Sequence, residues 1–198
     1  MSASRAELVL ASASPRRTEL LREAGLAHRV VVADVTEHED PASDPREMVL
    51  HNARLKARAV AEREPDAVVL GADTTVALGD RVLNKPADLA EARAMLRMLS
   101  GREHTVHTGI CLIHRPTGLE ESRCVTARVL FRSLSEDDID RYLARVNPLD
   151  KAGAYGIQQG KDIIIERHDE PISVIMGLPV ELVAARLAEL GLAGPRRR

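Results

Sequence analysis

Six charged side chains in the first half of the chain are candidates for chemistry, four of them where charge is costly. In "LASASPRRTELL" (residues 10–21) Arg16 and Arg17 follow Pro15 at the start of a helix. A helix start already carries unpaired N–H groups and a positive dipole, so acidic residues are the usual occupants. Arginines there call for an anion: either a local carboxylate such as Glu19, or a phosphate gathered by the guanidinium forks, the free N–H groups and the hydroxyls of Ser12 and Ser14. Asp73 interrupts the apolar run "DAVVLGADTTVAL" and needs a cation. A structural ion pair, a metal, or a water whose proton Asp73 accepts would each meet that need, and all three stay open. Lys56 falls within the stripe Val49, Ala53, Val60, where it either snorkels to water or reaches a buried anion. Lys85, in "NKP", and Glu37, in a polar loop, complete a set carrying both signs. Polyphosphate with a divalent metal is the ligand that requires both. No GxxxxGK[ST] or GxGxxG loop is present, which disfavours P-loop and dinucleotide-binding chemistry.

The elements that must position these groups alternate between strand and helix, the pattern of an α/β fold. "ELVLAS" reads as a buried strand, followed by a helix from Pro15 to Ala24 with Ser14 as N-cap and Gly25 as stop. "HRVVVAD" reads as a second strand. A loop over Thr36 to Ser43 leads to a capping-box-like Asp44-Pro45-Arg46-Glu47 and a long helix through Ala61. The Asp73 strand continues through the turn Gly79-Asp80 into "RVL", and Gly71 leaves room for a close neighbour. Asp88 opens a helix ending at Gly101. Glu103 to His114 and Leu119 to Arg132 form an antiparallel pair joined by "RPTG". Ser135 and Asp138 cap a helix over Glu136 to Arg145, "DIIIER" reads as a strand, and Val180 to Leu190 as a closing helix. "GPRRR" reads as a frayed tail. With no internal repeat and no linker-like shift in composition, one domain over residues 1–198 with a mixed sheet is expected.

Composition narrows the function classes. Hydrophobic residues make up 44% and charged residues 29% of 198, which is ordinary for a globular protein and poor for membrane insertion. Without an apolar leader-like run, a cytoplasmic location is expected. Lys plus Arg at 28 against Asp plus Glu at 30, with only 2% aromatic residues, argues against tracking a nucleic-acid strand. Cys111 and Cys124 lack CxxC spacing and read as buried thiols. His104 and His107 in "HTVH" fall on opposite faces of a strand, unsuited to a shared metal.

The order of motifs resembles the Maf family of nucleotide pyrophosphatases over nearly the whole chain: "LASASPRRTELL", "ARLKARAV", "LGADTTV", "LNKPAD", "MLRMLSG", "DKAGAYGIQ" and "GLP". The resemblance implies a mixed α/β fold similar to inosine triphosphate pyrophosphatases, with flanking helices, two lobes around a cleft, and a homodimer. It implies hydrolysis of a nucleoside triphosphate between the α and β phosphates with a divalent metal, Mg²⁺ or Mn²⁺. On matching positions Asp73 is the proton acceptor, Ser12, Arg16, Arg17, Lys56 and Lys85 surround the phosphates, and Glu37 helps Asp73 hold the metal. Arg16, Thr74 and Gln158 resemble the dTTP/UTP branch, whereas the 7-methyl-GTP branch carries a bulky aromatic, Gln and Glu there. The family pattern is departed from at Gln159 and Asn84, where Gly is usual. The rival expectation is a nucleic-acid-binding regulator of cell division, a role historically attached to the family name.

Overall fold

The computed structural model describes residues 6–192, so the "GPRRR" tail lies outside the described residues. Strands β1 (Leu8–Leu10), β2 (His28–Val30), β3 (Val68–Leu78), β4 (Arg81–Leu83), β5 (Glu103–His114), β6 (Leu119–Phe131) and β7 (Ile165–His168) form one open sheet. Its order is β2-β1-β3-β5-β6-β7, with β4 paired to β3. The β1 pairings with β2 and β3 are parallel and the rest antiparallel, which makes the sheet mixed. Helices α1 (Pro15–Glu23), α2 (Pro45–Ala61), α3 (Leu89–Leu99), α4 (Glu136–Leu143), α5 (Lys161–Ile164), α6 (Ile172–Met176) and α7 (Val180–Leu190) flank it. None of the described helices is long and apolar enough to cross a membrane.

Strand alternation sorts the side chains into layers. Val9, Ala11, Val69, Cys111 and Ile113 pack against Ala53, Ala57 and Val60 of α2 on one face. On the other, Leu8, Leu10, Leu70 and Leu112 pack against α1 and α7. Further along, Val76, Val106, Val129 and Phe131 pack against α3 and α4 in a separate core. A cleft of about 390 Å³ lies between these last two cores, its floor crossed by β3. It opens just beyond the carboxyl end of β1, where open α/β sheets bind ligands.

Two glycines bring α2 against the sheet. A Cβ at Gly71 would overlap the Ala53 carbonyl oxygen, and one at Gly109 would lie 2.5 Å from the Val49 carbonyl oxygen. Gly109 pairs directly with Asp73 across β3 and β5, so this approach lowers α2 onto Asp73.

Three expected elements differ. "HRVVVAD" is a strand only through Val30, because its partner β1 ends at Leu10 and the Val31 N–H makes the last bond, to the Leu10 carbonyl. "DIIIER" divides into α5 and β7: Gly160, at φ 66°, starts a helical turn that buries Ile163 and Ile164. An apolar run of that length has no periodicity to separate helix from strand. The helix over Glu136 ends at Leu143, two residues early. Ser135 and Asp138 do form the full reciprocal box, whereas Asp44 accepts from the Arg46 and Glu47 N–H groups without a return bond.

Candidate active site

The loop from β1 to α1 forms one wall. Ser14 stands at the N-cap position, but no side-chain oxygen caps the helix, and the Ser14 N–H instead donates to Ser12 Oγ at 3.2 Å. Ser14, Pro15 and Arg16 line the cleft, so the uncapped end faces it. Arg17 turns inward and is only 8% exposed. Its Nε donates to the Gly177 carbonyl at 2.8 Å, Nη1 to Ser12 Oγ at 2.8 Å and Nη2 to Thr74 Oγ1 at 3.1 Å. All three acceptors are neutral, and among the described residues no carboxylate pairs with it. Burial pushes the Arg17 pKa down, against the pull of Asp73 and Glu37, yet a guanidinium stays charged. A buried cation with neutral partners is costly until an anion reaches it. Gly177, at φ 105°, lets its carbonyl turn toward Arg17; a Cβ there would crowd Thr74 Oγ1 at 3.2 Å.

The opposite sign gathers beneath α2. Asp73, 8% exposed, accepts from Lys56 Nζ at 2.8 Å and from Asn52 Nδ2 at 3.1 Å. Lys56 Nζ also donates to Glu37 Oε2 at 2.6 Å. The buried anion that Lys56 reaches is therefore Asp73 itself, and of the three ways to satisfy Asp73 the ion pair is present. Asn52 is buried and held on both sides: its Oδ1 accepts from the His38 N–H at 2.8 Å, and its Nδ2 donates to the His38 carbonyl at 2.9 Å. It thus fastens the Glu37 loop to α2. Sequence reasoning missed it, although Asn52 shares the Val49, Ala53, Lys56 stripe and a test for any polar residue there, charged or not, finds it.

The rim carries paired charges. Arg16 Nη1 donates to Asp150 Oδ2 at 3.0 Å, not to Glu19. Asp150 Oδ1 accepts from Lys151 Nζ at 2.6 Å, and Gln158 Nε2 lies 3.5 Å from Glu19 Oε2. Lys85 is exposed and has no ion-pair partner among the described residues. Thr74 Oγ1 is taken by Arg17, Thr108 Oγ1 at 3.0 Å and the Gly177 carbonyl, so it acts on the cleft by holding Arg17. Asn84 lies outside these contacts, its Nδ2 tying the Glu39 carbonyl at 2.7 Å. His104 and His107 bind no common partner: His104 Nε2 meets Tyr155 Oη at 2.8 Å, and His107 lies between Thr105 and Thr126. Cys111 is buried as expected, whereas Cys124 is half-buried because β6 lies under α2 only in part.

Ser12, Arg16, Arg17, Glu37, Lys56, Asp73, Thr74, Lys85 and Gln158 all line the one cleft. Cations face it from four segments, and Glu37 and Asp73 meet within it, an arrangement that can hold a polyanion and present a carboxylate to a water beside it. No group of three or more His, Cys, Asp or Glu suited to a metal occurs among the described residues. Glu37 and Asp73, turned toward one Nζ, suit Mg²⁺ or Mn²⁺ arriving with phosphates, since such ions take one or two carboxylates plus phosphate oxygens.

A family model described as Maf-like protein matches residues 7–190. The chain belongs to the Maf family. Among curated relatives, a protein of Anaeromyxobacter dehalogenans named dTTP/UTP pyrophosphatase is 46% identical over 190 residues, covering 95% of this chain and 96% of the relative. One of Myxococcus xanthus with the same name is 45% identical over 197 residues, covering 100% and 99%. A third, of Bacillus cereus, is 40% identical over 190 residues, covering 94% and 91%. The Maf match spans every element that contributes to the cleft, from the β1–α1 loop through Gly177.

Proposed function

We propose that this Maf protein is a nucleoside triphosphate pyrophosphatase that hydrolyses dTTP and UTP between the α and β phosphates, releasing the monophosphate and pyrophosphate. The observation that carries the reading is Arg17, a buried guanidinium without a carboxylate partner among the described residues, set in the same cleft as Asp73. Relatives of matching length named for that activity support it.

The triphosphate lies against the uncapped start of α1, within reach of Arg17 and Lys85. Asp73 accepts the proton of a water whose oxygen attacks the α phosphorus, and the P–O bond to the bridging oxygen breaks with its electron pair leaving on pyrophosphate. Lys56 and Asn52 fix the Asp73 carboxylate, so the remaining lone pairs are aimed rather than rotating. Arg17 and Lys85 meet the charge that grows on the leaving group. Glu37 and Asp73 would hold the divalent metal, which when bound neutralises phosphate oxygens.

The test is a panel of canonical and modified triphosphates with Mg²⁺ or Mn²⁺, with pyrophosphate separated from phosphate. Pyrophosphate from dTTP and UTP is expected. Inorganic phosphate as the product, or 7-methyl-GTP as the preferred substrate, overturns the reading. Asp73→Asn is expected to bind nucleotide and lose about 100-fold or more in turnover, and near-normal turnover removes Asp73 from the base role.

A further inference from the structure

Arg16 and Arg17 are neighbours in sequence and opposites in environment. Arg17 is buried on neutral acceptors, whereas Arg16 stands 29% exposed at the rim with its charge already met by Asp150. Asp150 lies 134 residues away in the chain, on the far side of the cleft, and its second oxygen is held by Lys151. Lys151 is in turn fixed, its Nζ donating to the Asn147 carbonyl at 2.7 Å, and its stem fills the space beside Gly156, where a Cβ would meet Lys151 Cε at 2.8 Å. Next to this pair, Gln158 and Glu19 bridge the same two walls.

A guanidinium paired with a carboxylate has little net charge to offer a phosphate, but it retains oriented N–H donors. We infer that Asp150 is a positioning residue for base selection: it withholds Arg16 from the triphosphate and holds its free N–H groups toward the carbonyl oxygens of a uracil or thymine ring. This rests on the pyrophosphatase reading above. Arg17 takes the phosphate end and the Arg16–Asp150 pair the base end. Cytosine places an amino group where uracil has a carbonyl oxygen, so a donor fixed at that edge faces a donor and the wrong base is penalised.

Asp150→Asn tests the assignment, because an amide offers one acceptor oxygen and cannot serve both Arg16 and Lys151. Rates with UTP, dTTP and CTP, and inhibition by pyrophosphate as a base-free probe, are measured on wild type and variant. The expected result is a loss of about tenfold in kcat/KM for UTP and dTTP, with CTP hydrolysis retained, pyrophosphate inhibition unchanged or tighter as Arg16 is released, and partial recovery in Asp150→Glu. Equal losses for every triphosphate, weaker pyrophosphate inhibition, or no change at all overturns it. Should Asp150→Asn fail to fold, Arg16→Gln, at a partly exposed position, carries the same expectation for the UTP to CTP ratio. If the wild type releases no pyrophosphate from any triphosphate, the failure lies with the reaction and not with Asp150.

Discussion

Lys56 Nζ lies 2.8 Å from Asp73 Oδ1 and 2.6 Å from Glu37 Oε2, so one ammonium joins a helix, a strand and a loop. Lys56 and Asp73 side chains are 10% and 11% exposed, deep enough for the pair to stand or fall together. Removing one partner of a buried pair leaves an uncompensated charge, whereas removing both leaves none. Lys56→Met is therefore expected to lose about 3 kcal/mol of stability, and Lys56→Met with Asp73→Asn to recover most of it. Denaturant titrations of the four forms of this cycle check the coupling; additive losses show that the pair is not a unit.

Arg17 makes a prediction about ligand-dependent stability. A buried guanidinium with neutral partners gains most when a polyanion arrives, and a ligand that binds only the folded state raises its melting point. Saturating pyrophosphate is expected to raise the melting temperature of the wild type by about 5 °C. Arg17→Lys should show little of that shift, because one ammonium cannot span Ser12, Thr74 and Gly177 at once. An undiminished shift in the variant would place the phosphate site elsewhere.

Gly109→Ala tests how α2 is seated. Its Cβ would lie 2.5 Å from the Val49 carbonyl oxygen, so the helix must lift, carrying Asn52 and Lys56 away from Asp73. Expected are a stability loss of about 3 kcal/mol and equal falls in kcat and kcat/KM for dTTP, the pattern of an interaction lost in the transition state. A variant with unchanged stability would mean that the contact between α2 and β5 is looser than the glycine requires.

What could be read from sequence follows from where periodicity exists. Lys56 breaks a regular helical stripe, Arg17 stands at a helix start that already carries a positive dipole, and Asp73 interrupts an apolar strand, so each was visible as an expense needing a partner. Asn52 breaks the same stripe as Lys56 but carries no charge, and a search for misplaced charge passes over it. Asp150 and Lys151 lie in an irregular segment between α4 and α5, where no repeat distinguishes an inward from an outward side chain. Their partner Arg16 was visible, but the pairing spans the fold and has no local signal. The sheet was legible where strands are long, in β3, β5 and β6, and failed in β2, whose length is set by where β1 ends, and in β7, where a helical turn from Gly160 takes the first half of an apolar run without periodicity.

Asn52→Leu keeps volume near Asp73 while removing the amide that joins it to the His38 backbone. The Glu37 loop then loses its tie to α2, and Asp73 loses one of its two restraints. Expected are a fall of about tenfold in kcat and faster proteolytic cleavage within residues 36–43, with the apolar core intact by near-ultraviolet spectroscopy. Asn52→Asp separates the two roles, since it keeps an acceptor for the His38 N–H but sets a second carboxylate against Asp73; a milder defect than in Asn52→Leu would assign the amide to the loop rather than to Asp73.

His104 ties stability to pH. Its ring packs edge-on against Phe131 and Tyr155, at centroid distances of 4.9 and 5.3 Å, and Nε2 meets Tyr155 Oη at the wall of the cleft. Burial pushes its pKa down to about 4 from the ordinary 6.5. Between these values the unfolded chain binds a proton that the folded protein refuses, so stability is fully present above pH 6.5 and is lost as pH falls toward 4. His107, lowered first by burial and then by Arg46, acts in the same direction. The His104 contribution to the difference between pH 7 and pH 5 is about 2 kcal/mol. Urea titrations at the two pH values should show that difference in the wild type and lose it in His104→Gln, which keeps a polar partner for Tyr155 but does not titrate. An unchanged pH dependence in the variant would transfer the effect to other groups.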